Sequence, residues 1–211
     1  MRPWQHALSS TKGNGEWLND LPIHEFVDCT KVACPDVRHR MIMHNSDLGP
    51  ELAARAFPDR PDARAIALGH VCEDFGKPLD LTQWIAVCDI EKFPKPQIDL
   101  STLDDVAIGV ARTQGIQDAD HPRAVVELLT LPTQFAGPDA ISLLFNAMGP
   151  MMVRTIIGAP RRVKGIDGNE VMFEPRHMAE KIIQAAYGRI PTLVDVVSAI
   201  REMPKMVKEN A

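Results

Sequence analysis

A chain of 211 residues is long enough to bury one large core or two small ones, and 45% apolar residues make a packed core feasible without disulfide or metal staples. A formal net charge of -5 excludes a surface that attracts polyanions as a whole. Nucleic acid is therefore not expected as a partner, because the one basic run, Arg161-Arg162-Val163-Lys164, is too short to count alone.

Aromatic residues make up only 5% while Met occurs 10 times, which predicts an aliphatic core built by helices. Cys29, Cys34, Cys72 and Cys88 form no CxxC pair and read as reduced, buried thiols. The first residues, Met-Arg-Pro-Trp-Gln-His, lack the apolar region of a signal peptide. No apolar run approaches the ~18 residues of a membrane helix; the longest, 140–159, is broken by Asn146, Gly149, Pro150 and Arg154. Together these predict a cytoplasmic, soluble chain with no membrane contact.

In chain order, Gly13-Asn14-Gly15 predicts a turn between Trp4 and Trp17. Pro22 suits the first turn of a helix running to about Ala33. Pro35 opens a second, with Val37, Met41, Ile42 and Leu48 on one side, broken or kinked at Gly49-Pro50 and continuing to Phe57. Residues 65–68 read as a short strand or extended entry. His70 to Phe75 forms a helical turn or two ended by Gly76, and Asp80 caps a helix through Cys88. The prolines and lysines of EKFPKPQ mark a linker at 91–100 between two helical lobes, 1–90 and 101–211. In the second lobe, helices start near Ser101, Asp120 and Pro138. The stretch 161–173, with Asp167-Gly168 between short alternating segments, predicts a β-hairpin. Pro175 opens a helix to Tyr187, and Thr192 caps the last, to about Met203. The fold class expected is mainly α, two lobes, with one small hairpin in the second.

One internal similarity stands out. Phe75-Gly-Lys-Pro-Leu-Asp-Leu81 aligns without gaps on Tyr187-Gly-Arg-Ile-Pro-Thr-Leu193. A duplicated unit explains it, and so does a recurring connection of C-cap glycine, proline turn and capped helix.

The chemistry lies in the first lobe. His24 and Asp28 are four apart, and His44 and Asp47 three apart, so each pair shares a helical face. His70 stands near Glu73 and Asp74 at the same spacings. Imidazole and carboxylate on facing helices are what a metal site inside a bundle requires; a solvated polar face is the plain alternative for any one pair. The candidate metal ligands are His24, Asp28, His44, Asp47, His70 and Glu73, for a divalent transition metal. His39, a turn or more from His44, reads as a core or supporting residue, and His121 and His177 lie outside the cluster. Cys29 or Cys34 as a nucleophile is weighed against a small buried residue, which is the better reading. There is no GxGxxG, GxxxxGK[ST], HExxH, GxSxG or adjacent His-Asp pair.

The motifs His6-Ala-Leu-Ser-Ser10, Leu21-Pro-Ile-His24-Glu-Phe-Val-Asp28, Asp36-Val-Arg38-His39-Arg40 with His44, and His70-Val-Cys-Glu73-Asp74-Phe-Gly76 with Trp84 occur in that order. They resemble an uncharacterised His-rich domain family of phages and bacteria, over about residues 4–88. The family's patterns run HALSS, LPIHxWFD, RHRALxHH and HVxEDLG. The resemblance brings no established activity. It implies that His6, His24, Asp28, His39, His44, Asp47, His70 and Glu73 form one cluster, in a chain of the host cytoplasm or a virion. Asn45 replaces the second His of the family's pair, which would weaken a site that used both; Asp47 stands where the family has Glu.

Three functions follow as candidates. The first is a metal-binding protein, with metal-dependent hydrolysis as its chemistry. The second is a non-catalytic phage accessory or virion protein whose histidines form a buried network. The third is a ligand- or partner-binding module, with the Met-rich stretch 147–153 as contact surface. A homo-oligomer fits the last two.

Overall fold

The structure, a computed structural model, describes residues 2–11, 17–34 and 37–201. Helices dominate, as the composition predicts, and the latter half holds a small two-stranded antiparallel sheet, as the Asp167-Gly168 turn predicts. The chain divides into two compact units, Met1–Ile90 with Val197–Ala211, and Glu91–Val196.

The first unit contains α1 (Pro3–Ser10), α2 (Trp17–Val27), α3 (Arg40–Met43), α4 (Leu48–Ala56), α5 (Ala63–Phe75) and α6 (Leu81–Ala86). Pro3 opens α1, and the Gln5 side chain reaches back to accept from Arg2 N at 2.8 Å. Asp80 caps α6 by accepting from Gln83 N at 2.7 Å, while Gln83 Oε1 accepts from Asp80 N at 3.0 Å. α1 packs on α2 and α5, α2 on α4 and α5, and α4 on α5. Ile23, Met41, Ile42, Met43, Leu48, Leu52, Val71 and Trp84 are fully buried between them. Arg60 ties the start of α2 to that of α5, donating to Asn19 O at 2.6 Å, Asp20 at 2.8 Å and Asp62 at 2.9 Å. The end of the described chain pairs with this unit: Asp89 N donates to Ala199 O and Arg201 N to Val87 O.

The second unit contains α7 (Leu103–Thr113), α8 (Asp120–Ala136), α9 (Gly149–Ile157), β1 (Arg161–Lys164), β2 (Glu170–Phe173) and α10 (Pro175–Tyr187), and α11 (Leu193–Val197) runs to its boundary. α7 packs on α8 and α10, α8 on α9 and α10, and α9 on α10. The hairpin joins Arg161 to Phe173 and Lys164 to Glu170.

Several local expectations change. Pro22 lies inside α2, which begins at Trp17, and α2 ends at Val27 rather than near Ala33. A 3₁₀ turn, Cys29–Val32, follows it. The break expected at Gly49-Pro50 falls earlier, at 44–47, so both residues sit in the first turn of α4, where Pro needs no donor. Residues 65–68 are helical, part of α5. After Pro138 the chain forms only a 3₁₀ segment, Pro138–Leu143, and α9 is a separate helix. Residues 91–97, read as linker, pack within the second unit: Phe93 is buried, Ser142 Oγ donates to Pro94 O, and Gln97 N donates to Ala186 O. Of the Met-rich stretch, Met148, Met152 and Val153 are core and only Met151 is exposed among the large side chains, which removes the surface on which partner binding was argued. The last helix ends at Val197 instead of near Met203. The turn at Gly13-Asn14-Gly15 and the helix start at Pro35 lie outside the described residues.

The internal similarity extends well beyond the aligned segment. α1, α2, α4, α5 and α6 have counterparts in α7, α8, α9, α10 and α11, in the same order and, for the first four, with the same pairwise packing. The turn before α4 is tied by Asn45, which donates to Met41 O and Ile42 O at 3.1 and 3.0 Å and accepts from Leu48 N at 2.6 Å. The turn before α9 is tied by Asn146, which donates to Ser142 O and Leu143 O at 2.8 and 2.9 Å and accepts from Met148 N at 2.8 Å. The next residue donates across each unit, Ser46 N to Leu79 O and Ala147 N to Pro191 O, and these acceptors are equivalent in the Phe75/Tyr187 alignment. Gly49 and Gly149 lie so close to the preceding turn that a Cβ would stand 1.8 Å from Met43 O and 1.9 Å from Leu144 O. Thr192 and Asp195 cap α11 reciprocally, as Asp80 and Gln83 cap α6. The hairpin occupies the place of the 57–62 loop.

Candidate metal centre

Four segments of the first unit aim polar side chains into one apolar interior. α1 supplies His6, and α2 with the turn after it supplies His24 and Asp28. The short helical turn before α4 supplies His39 and His44, and α5 supplies His70 and Asp74. All five histidines are buried, and the Asp28 and Asp74 side chains are only 5% and 3% exposed. Helical spacing places His70 and Asp74 on one face of α5, four residues apart. The non-helical backbone at 44–47 lets His44 leave the helix axis toward α5.

The imidazoles lie close together: the rings of His6 and His70 stack with centroids 3.9 Å apart, and those of His44 and His70 meet edge to face at 5.1 Å. His24 Nδ1 and His70 Nδ1 share a hydrogen bond of 3.0 Å, which fixes the orientation of the His70 ring. The carboxylates sit between histidines. Asp28 Oδ1 is 3.3 Å from His44 Nε2 and 3.7 Å from His70 Nε2. Asp74 Oδ1 is 3.3 Å from His6 Nε2, and its Oδ2 is 3.4 Å from His44 Nε2 and 3.0 Å from Arg40. His6 Nε2, His44 Nε2, His70 Nε2 and Asp28 Oδ1 nevertheless find no hydrogen-bond partner among the described residues. Buried polar atoms are seldom left so. Two donors on one divalent ion at about 2.0–2.2 Å stand roughly 3 Å or a little more apart without pointing at one another, and this cluster approaches that arrangement.

The charge states match. Burial pulls His24 down to about 4, with His70 and His6 nearby adding to the effect. Burial also lowers His70, against the pull of Asp28. Burial alone would raise Asp28, but His44, His70 and Lys31 hold it well below the ordinary carboxylate range. Asp74 is likewise held down against burial by His44, His6 and Arg40. Neutral imidazole and ionised carboxylate are the forms that bind metal. His6 is the exception: burial lowers it, but Asp74 and Glu73 outweigh that and raise it. Glu73 Oε2 lies 2.5 Å from His6 Nδ1, with its side chain 24% exposed, at the solvent edge of the cluster.

Two groups among the described residues could hold a metal ion, His6 with His70 and Asp74, and Asp28 with His39 and His44; within each, ligand atoms lie within 4.8 Å of one another. Of the six residues named from the sequence, His70 falls in the first group, and Asp28 and His44 in the second. His24 lies behind His70, and Glu73 against His6. Asp47 is turned away: its Oδ2 accepts from Leu81 N at 2.9 Å, holding the start of α6. Asp74, whose helical spacing from His70 the sequence shows, is not among the six and falls in the first group. His39, read from the sequence as a core or supporting residue, falls in the second group from the 3₁₀ turn Val37–His39. Burial pushes the Cys29 thiol up to about 12, with Asp28 beside it adding to the rise, so it is not an activated nucleophile.

The model of a domain of unknown function (DUF6915) matches residues 1–93, an uncharacterised domain family whose span takes in every residue of the cluster. No curated protein and no solved structure matches the chain. No helix among the described residues is long and apolar enough to cross a membrane.

Proposed function

We propose that the first unit is a metal-binding domain, with His6, His39, His44, His70, Asp28 and Asp74 as ligands and hydrolysis as its chemistry. The observation that carries this reading is the comparison with the second unit. At the positions equivalent to His44, His70 and Asp74, that unit has Phe145, Ile182 and Ala186, all fully buried. The same turn, glycine contact and helix pairing form there with an apolar filling. The polar cluster is therefore not what the scaffold needs in order to fold, and burying it unfilled is costly. A role outside folding explains its presence, and its donor set is that of a transition-metal site. The same comparison disfavours a purely structural histidine network.

A bound divalent ion would supply Lewis acidity and an acidified water. The chain's own part is to hold His70 through His24 and His6 through Glu73, and to keep Asp28 and Asp74 ionised. The test is titration of chelator-treated full-length protein with Zn²⁺ and Mn²⁺ by calorimetry. Binding that is lost in His44→Ala and kept in His121→Ala supports the reading. Unchanged binding in His44→Ala, or none in the wild type, contradicts it.

A further inference from the structure

The arrangement of the two carboxylates bears on how many ions the cluster takes. Asp74 faces both ways: Oδ1 lies 3.3 Å from His6, and Oδ2 lies 3.4 Å from His44. Its two oxygens thus address histidines of different groups. Asp28 does the same through one oxygen, Oδ1, which is 3.3 Å from His44 and 3.7 Å from His70. A single ion would use one such carboxylate and leave the other group's histidines behind. There are four histidines in the two groups, each part of a three-residue set that could close around an ion of its own.

We infer that the cluster takes two divalent cations, one held by His6 and His70 and one by His39 and His44, with Asp74 bridging them and Asp28 completing the second set. This rests on the metal-binding reading above and goes further in stoichiometry and arrangement. A carboxylate bridge suits the roughly 3.5–4 Å separation of two-metal hydrolytic sites. The mixed imidazole and carboxylate donors select first-row ions of intermediate softness, such as Mn²⁺, Fe²⁺, Co²⁺ or Zn²⁺. They are too nitrogen-rich for Ca²⁺ or Mg²⁺ and lack the thiolates that Cu⁺ prefers. Arg40, 3.0 Å from Asp74, and Lys31, 2.5 Å from Asp28, balance the carboxylates from outside the ligand sets.

The experiment is Mn²⁺ loading of the full chain, with metal content measured after gel filtration and the electron paramagnetic resonance spectrum recorded on the same sample. Two ions per chain and the multiline spectrum of an exchange-coupled pair are expected. One ion per chain, or two with the spectra of isolated ions, overturns the two-ion inference and leaves the metal-binding reading standing; no bound ion overturns both. His6→Gln and His39→Gln remove one ligand from each group in turn. Each is expected to lower the content from two ions to one and abolish the pair spectrum, and the two variants serve as checks on each other's folding by circular dichroism. A folded variant of either kind that still holds a coupled pair contradicts the assignment.

Discussion

His44 and Asn45 are neighbours in the chain with opposite roles. Asn45 spends its amide on the backbone of its own turn, donating to Met41 O and Ile42 O and accepting from Asp47 N and Leu48 N. The resemblance treats Asn45 as a lost histidine ligand; the turn explains it instead, and Asn146 repeats it where no ligand is in question. Asn45→Ala should cost about 2–4 kcal/mol by urea denaturation, from buried groups left unsatisfied, while the folded fraction keeps its metal capacity; a cost near zero would contradict the assignment. Asp74 tests the cluster differently. In metal-free protein, Asp74→Ala removes the buried carboxylate shared by Arg40 and His6, and should cost roughly 3–5 kcal/mol. A cost near zero would contradict the pairing of this carboxylate with Arg40 and His6.

At the scale of elements, the hairpin is held by its turn. Gly168 N donates to Gly165 O, Gly165 N donates to Asn169 O, and Gly168 has φ 83°, a turn followed by a one-residue bulge. Gly168→Val should destabilise the hairpin by about 1–2 kcal/mol or somewhat more for the β-branched side chain, seen as faster amide exchange in β1 and β2 with α5 unchanged. Unchanged exchange in the hairpin would contradict that. What was legible here had chemistry in its own few residues. Pro175 and Tyr187 bound α10 as the sequence indicated, and Asp80 caps α6 as expected. What was not legible depended on tertiary context. Pro22 signals a helix start, yet packing of Ile23 and Val27 carries α2 through it from Trp17. Ile66, Ala67 and Leu68 read as extended because a short apolar run has no diagnostic period, and only the packing of α5 on α1, α2 and α4 decides it.

For the whole molecule, the chain builds one helical scheme twice and fills it in two ways. The short alignment of 75–81 on 187–193 was the visible edge of that repeat. The rest was hidden because Asn45 and Asn146, and Gly49 and Gly149, match in backbone role across a one-residue shift in the turn between them. The gathering of His24, His44 and His70 near Asp28 comes from the packing of α1, α2 and α5 and not from two long facing helices, since α2 ends at Val27 and α3 is a single turn; the places of Asp74 and His39 likewise depend on exact helix rotation, which spacing does not give. The claim that joins these observations is that the cluster exists to bind metal. Its most direct test is the metal content of full-length protein, wild type against the His44→Phe, His70→Ile, Asp74→Ala variant, both loaded with Zn²⁺ and passed through gel filtration. Stoichiometric metal in the wild type and none in an equally helical variant is the predicted result; equal content in the two proteins would contradict it.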